Sequence, residues 1–180
     1  MNKSTTALIG LLAGLAFAPL ANAQSAQIGK ALHTSNCESA GCHLGTPPRI
    51  NNNAQRAANS PSTISNAIRS NTGGMGYLSS QLSTTDLADL AAYIGTTSPL
   101  PALSDADRLL NWAEWKFQTI LLPRASSQVV APYTIRAYPA LYLGVANNRV
   151  LMLDRSNPSA TVQDIGALST FLGTAANDGF

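Results

Sequence analysis

Two cysteines, with a histidine directly behind the second, are the residues of this chain best suited to chemistry. They lie in Cys37-Glu38-Ser39-Ala40-Gly41-Cys42-His43, and the 180 residues contain no other cysteine. Each of two nearby thiols can add to a vinyl group of a haem, and the following histidine is then held beneath the iron with little further loss of freedom. The spacer is longer than the usual two residues. On a regular helix five steps turn the chain through roughly 500°, which leaves the two thiols facing about 140° apart. Both reach one macrocycle only if the spacer bulges or leaves helical geometry, and Gly41 eases such a departure. Three other chemistries use the same residue types: a disulfide, a zinc site short of a fourth ligand, and a thiol redox pair. The adjacent His43 and the features below weigh toward haem.

A haem iron held by His43 has a second axial position to fill, and the methionines and histidines that could fill it are His33, Met75 and Met152. Met75 fits best. It stands in Asn71-Thr72-Gly73-Gly74-Met75-Gly76-Tyr77, a glycine-rich loop whose backbone can approach a flat macrocycle closely. A thioether that merely fills a core is the competing reading. Met152 reads as hairpin core, and His33 as too close in the chain to Cys37 to reach the far side of the same haem. Arg49, Arg69 and Tyr77 are candidates to meet haem propionates, or else ordinary surface and packing residues.

Positioning these groups falls to a few helices. Ile28, Ala31 and Leu32 predict a short helix running into Cys37, and 61–69 a second, with 46–60 as loop. The best-defined helix covers 84–94: Ser83 and Asp86 form a capping box, and Leu87, Leu90, Ala91 and Ile94 share a face. Asp86 and Asp89 suit the positive end of its dipole. Ser104 and Asp107 repeat the capping pattern before Leu109, Leu110, Ala113 and Phe117. From Val129 onward β-branched and aromatic residues predict two or three antiparallel strands, at 133–138, 141–145 and 150–153, with Asn147-Asn148 as a hairpin turn. A final helix is expected at 161–172.

Residues 27–97 resemble a small class I monohaem bacterial cytochrome c domain with a CX4CH attachment motif. Gly29, Cys37, Cys42, His43, Met75, Leu87, Leu90 and Tyr93 stand where that family has its helix-crossing glycine, attachment motif, methionine loop and terminal helix. The resemblance implies a mainly α domain, with amino- and carboxy-terminal helices crossing around one covalent haem c. Cys37 and Cys42 would be the thioethers, and His43 and Met75 the iron ligands. It also implies that the carbonyl of Pro47 or Pro48 orients His43. Two departures stand out: the long spacer, and His33 where the family usually has an aromatic.

The implied function is that of a one-electron carrier rather than an enzyme, since His43 and Met75 together leave the iron no open position; the alternative is a haem-based ligand binder or sensor with a labile sixth ligand. Redox donor and acceptor proteins would be the partners. The amino terminus points to export, for Lys3 and an apolar run from Ala7 to Ala18 precede the small-residue site Ala21-Asn22-Ala23. That run is shorter than the roughly 20 residues a spanning helix needs, so 1–23 reads as a cleaved leader, leaving no transmembrane segment and a periplasmic or otherwise exported product. Without Lys3, ten Lys and Arg face nine Asp and Glu, a charge of +1 that offers no basic patch for nucleic acid. Prolines 99 and 101 mark 98–104 as a linker between a haem domain, 24–97, and a small α+β module, 105–180, with a hairpin or three-stranded sheet. The latter has no cysteine, histidine or phosphate loop, and Trp112, Trp115, Tyr138 and Tyr142 read as its core.

Overall fold

The computed structural model describes residues 21–38, 43, 45, 47 and 52–180. Most of the leader, Gly41, Cys42, Pro48 and Arg49 lie outside the described residues. Helix α1 spans Ala21–His33 and runs into one π-helical turn, Thr34–Glu38. A single-turn helix α2, Asn52–Gln55, interrupts the stretch expected to be loop, and α3 follows at Pro61–Arg69 with proline in its first turn, where a missing N–H is harmless. A 3₁₀ segment covers Thr72–Ser80, then α4 Thr84–Ile94 and α5 Asp105–Lys116.

The helix starts obey their local chemistry. At α4 the Ser83 side chain accepts from the Asp86 N–H while the Asp86 carboxylate accepts from the Ser83 N–H, so both halves of the capping box are present. Ser104 caps α5 in the same way through the Asp107 N–H. Phe117, expected on the buried face, lies just past the end of α5 and is 47% exposed.

Five strands follow: β1 Gln128–Val130, β2 Tyr133–Ala137, β3 Leu141–Ala146, β4 Arg149–Asp154 and β5 Gln163–Ala167, before α6 at Leu168–Asn177. They form one antiparallel sheet in sequential order. The β3–β4 turn is Asn147-Asn148, both at positive φ (50° and 59°), the conformation a two-residue hairpin turn needs and asparagine tolerates.

The expected fold class is therefore corrected. The chain is not a mainly α cytochrome c domain carrying a small module with a hairpin or three strands. It is a mixed arrangement of helices with a five-stranded antiparallel sheet. β1 and β5 were missed because neither carries a clear alternating pattern; their hydrogen bonds to β2 and β4 hold them in place. The expected helix at 161–172 is strand over Gln163–Ala167, where Gly166 sits at φ 146°, and helix only from Leu168.

Two apolar cores form. One gathers Ile28 and Leu32 of α1, Ile64 and Ile68 of α3, Leu78, and Leu87, Leu90, Tyr93 and Ile94 of α4. The other gathers Leu109, Leu110 and Trp112 of α5 with Tyr138, Leu143, Val150 and Leu168. Trp115 and Phe180, with ring centroids 5.2 Å apart, pack against both. Burying a side chain such as Ile28 or Leu32 contributes about 1.5–3 kcal/mol. α1 and α4 make the most extensive helix pairing. They meet at Gly29, where any β-carbon would land on the Asp89 carbonyl oxygen, so glycine is what permits the crossing.

Candidate functional site

The chain leaves α-helical geometry just ahead of the attachment motif. The π-helical turn lies immediately after α1 and contains Cys37. Its wider i→i+5 hydrogen bonding rotates successive residues less steeply than an α-helix does. Beyond the spacer, the His43 N–H donates to the Cys37 carbonyl at 3.2 Å. That bond sets the His43 backbone beside Cys37.

Met75 stands in the 3₁₀ segment. The chain enters it through three residues at positive φ, Asn71 (50°), Gly73 (59°) and Gly74 (85°). The glycines adopt this backbone without strain. Asn71 then spans the turn, its Oδ1 accepting from the Gly76 N–H at 2.8 Å, and Leu78 anchors the segment in the core. The Tyr77 hydroxyl donates to the Asn36 carbonyl at 3.2 Å. That bond ties the methionine segment to the turn that carries Cys37. Arg69 donates to Asn66 Oδ1 at 2.6 Å on the exposed side of α3.

Cys37, His43 and Met75 line one cavity, with about 620 Å³ of space free of protein atoms, part of it open to solvent. The wall between them is apolar: Ala54, Ala57, Ile64, Ala67, Leu90 and Ile94. One imidazole, one thioether and one thiol around an apolar slot are the donor set of a covalently held haem, and the residues fit that group. Among the described residues no three of His, Cys, Asp and Glu gather closely enough to hold a bare metal ion. A haem, whose macrocycle already binds its iron, would need only His43 and Met75 from the chain.

His33 also lines the cavity, which sequence reasoning had not foreseen. It is 1% exposed. Its Nδ1 lies 3.2 Å from Glu38 Oε1, and its buried Nε2 has no hydrogen-bond partner. Burial pushes its pKa down, Glu38 opposes this, and His43 adds to the lowering. The ring is neutral at pH 7. The one signal in the sequence was its type, an imidazole where the resembled family has an aromatic.

A second feature came from distant residues. Asp89, 1% exposed, receives Ser25 Oγ at 2.5 Å and the guanidinium of Arg124, which follows α5. Gln118 donates to Asp86 Oδ1 at 3.0 Å. Residues after 104 therefore grip α4, the helix that supplies Leu90 and Ile94 to the cavity. Within the sheet half, Glu114 is fully buried, accepts from the Tyr138 hydroxyl at 2.5 Å and from the Ala125 N–H at 3.2 Å, and pairs with Arg136 at 3.2 Å. A second cavity there, lined by Leu109, Trp112, Phe117, Leu143, Met152 and Phe171 among others, has no titratable side chain on its wall.

No protein-family model, curated protein or solved structure matches this chain. The residues and their geometry are the ground for a functional assignment. Among the described residues no helix is long and apolar enough to cross a membrane.

Proposed function

We propose that this protein is an exported c-type haem protein that carries one electron at a time, with a single haem joined to Cys37 and Cys42 and ligated by His43 and Met75. One observation carries the reading: Cys37, His43 and Met75, from two separate segments, share the wall of one apolar cavity. The haem, when bound, supplies an iron that alternates between ferric and ferrous states. The chain's own part is to hold and insulate. His43 is placed by its hydrogen bond to Cys37, and Met75 by the turn that Asn71 spans. Ile64, Leu90 and Ile94 exclude water, and such a wall with a thioether ligand favours the reduced state. Were His43 and Met75 both to hold the haem, the iron would have no site left for a substrate, and the partners would be redox proteins that meet the open edge of the cavity. Export rests on the leader-like residues 1–23.

Mass spectrometry of the exported product tests attachment directly. The expected result is the mass of one haem retained through denaturation; an unmodified chain with a Cys37–Cys42 disulfide overturns the reading. Ligation is tested by absorption: the sulfur-to-iron charge-transfer band should be present in the holoprotein and absent from Met75→Ala. Ready carbon monoxide binding by the unmutated ferrous protein would instead mark a ligand binder or sensor.

A further inference from the structure

The His33 imidazole is left over from the ligand set. It is enclosed, with its ring 5.4 Å from that of Tyr93 and inclined at 60°. A phenyl ring would pack against Tyr93 there without leaving a buried nitrogen unpartnered, as Nε2 is. What the imidazole adds is Nδ1, 3.2 Å from Glu38 Oε1. A carboxylate only accepts, so Nδ1 carries the hydrogen and donates it.

The partner's place in the chain gives this bond its meaning. Glu38 is the first residue of the spacer and lies five residues after His33. In an α-helix such residues face roughly 140° apart, whereas the π-helical turn between them brings the fifth residue round over the first. Cys37 lies inside the span that this bond closes, next to Glu38, and on the cavity wall with His33.

We propose that His33 and Glu38 are positioning residues for haem attachment: their hydrogen bond closes the π turn and holds Cys37 Sγ toward the cavity. The proposal rests on the haem reading above. In the step it serves, the Cys37 S–H adds across a vinyl C=C. Sulfur bonds to the carbon next to the ring, the hydrogen goes to the terminal carbon, and the product is a thioether. The addition is internally balanced and takes up no outside oxidant or reductant. A four-residue spacer gives Cys37 more backbone freedom than a two-residue one, and fastening its first residue to a buried ring removes part of that freedom.

The test uses the full chain, exported with haem attachment active, as wild type, Glu38→Ala, Glu38→Gln, His33→Phe and the double variant His33→Phe/Glu38→Ala. Two readouts are taken on recovered holoprotein: the α-band in alkaline pyridine, which moves to longer wavelength when one vinyl stays unsaturated, and peptide mass mapping of Cys37. Glu38→Ala and His33→Phe should each raise the ratio of unlinked to linked Cys37 by about fivefold, the ratio one net hydrogen bond sustains. Glu38→Gln keeps an acceptor oxygen and should behave as wild type. The double variant should be no worse than either single one, because both remove the same bond. Complete linkage at Cys37 in Glu38→Ala and His33→Phe, or additive losses in the double variant, overturns the positioning role while leaving the haem reading intact. A wild-type product without haem overturns both. Glu38 is partly exposed, so Glu38→Ala decides the matter if His33→Phe does not fold.

Discussion

Removing the Arg124 guanidinium should expose how far the pocket depends on residues beyond 104. Asp89 is buried in α4, and its Oδ1 takes hydrogen bonds from Arg124 and Ser25 while Oδ2 has no partner. Its backbone carbonyl abuts Gly29 at the helix crossing. Arg124→Met leaves a buried carboxylate with one donor, and breaking a buried pair from one side costs about 3–5 kcal/mol. Against a typical total of about 5–15 kcal/mol, such a loss is large. Its pH dependence has a definite sign. Burial raises the Asp89 pKa, Arg124 and Ser25 lower it, and Asp86 raises it again, the net being upward. A raised folded-state pKa means that the native state holds the proton more tightly. Asp89 therefore contributes most below its unfolded value of about 3.9, and the contribution is lost as pH rises through the folded value. Without Arg124 the folded value climbs further. The deficit of Arg124→Met should be largest at high pH and shrink as pH falls through the raised folded values and the carboxyl protonates. Urea unfolding followed by circular dichroism, at neutral pH and again near the acid limit of wild-type stability, measures it. Asp89→Asn in the same background should recover much of the loss. A deficit below about 1 kcal/mol, or one equal at both pH values, would refute a buried, charge-paired Asp89.

Other consequences follow from single contacts. Gly29→Ala places a methyl group on the Asp89 carbonyl oxygen, which is backbone and cannot swing away; a loss of about 1–3 kcal/mol should appear as a lowered Tm. Ser83→Ala removes the side-chain acceptor at the start of α4 and should cost about 1 kcal/mol in denaturant unfolding. His33 has a depressed folded-state pKa, so it contributes stability that is present above its unfolded value of about 6.5 and lost as pH falls through the folded value. Wild type should lose stability relative to His33→Phe as pH drops below about 6.5, and equal acid sensitivity of the two proteins would count against a neutral buried ring.

Several features were legible in the sequence because they are local. Ser83 with Asp86, and Ser104 with Asp107, close capping bonds within one turn. Asn147-Asn148 supplies the two positive-φ residues of a hairpin. The grouping of Cys37, Cys42 and His43 is equally local, and it is the ground of the haem proposal. The π turn at Thr34–Glu38 and the His43 hydrogen bond back to Cys37 were not legible, because no local pattern there selects them over an α-helical turn. β5 was also hidden. Gln163–Ala167 has the composition of neither a strand nor a strong helix, and it is extended because β4 supplies hydrogen-bond partners, with a register shift between Val150 and Leu151. Only the tertiary structure brings Met75 to the cavity that Cys37 and His43 line, turns Nδ1 of His33 to Glu38 in a buried setting, and sets Arg124 against Asp89. Caps and turns are decided by bonds between residues three or four apart, whereas a shared wall or a buried ion pair depends on how whole helices pack, which no short stretch of sequence encodes.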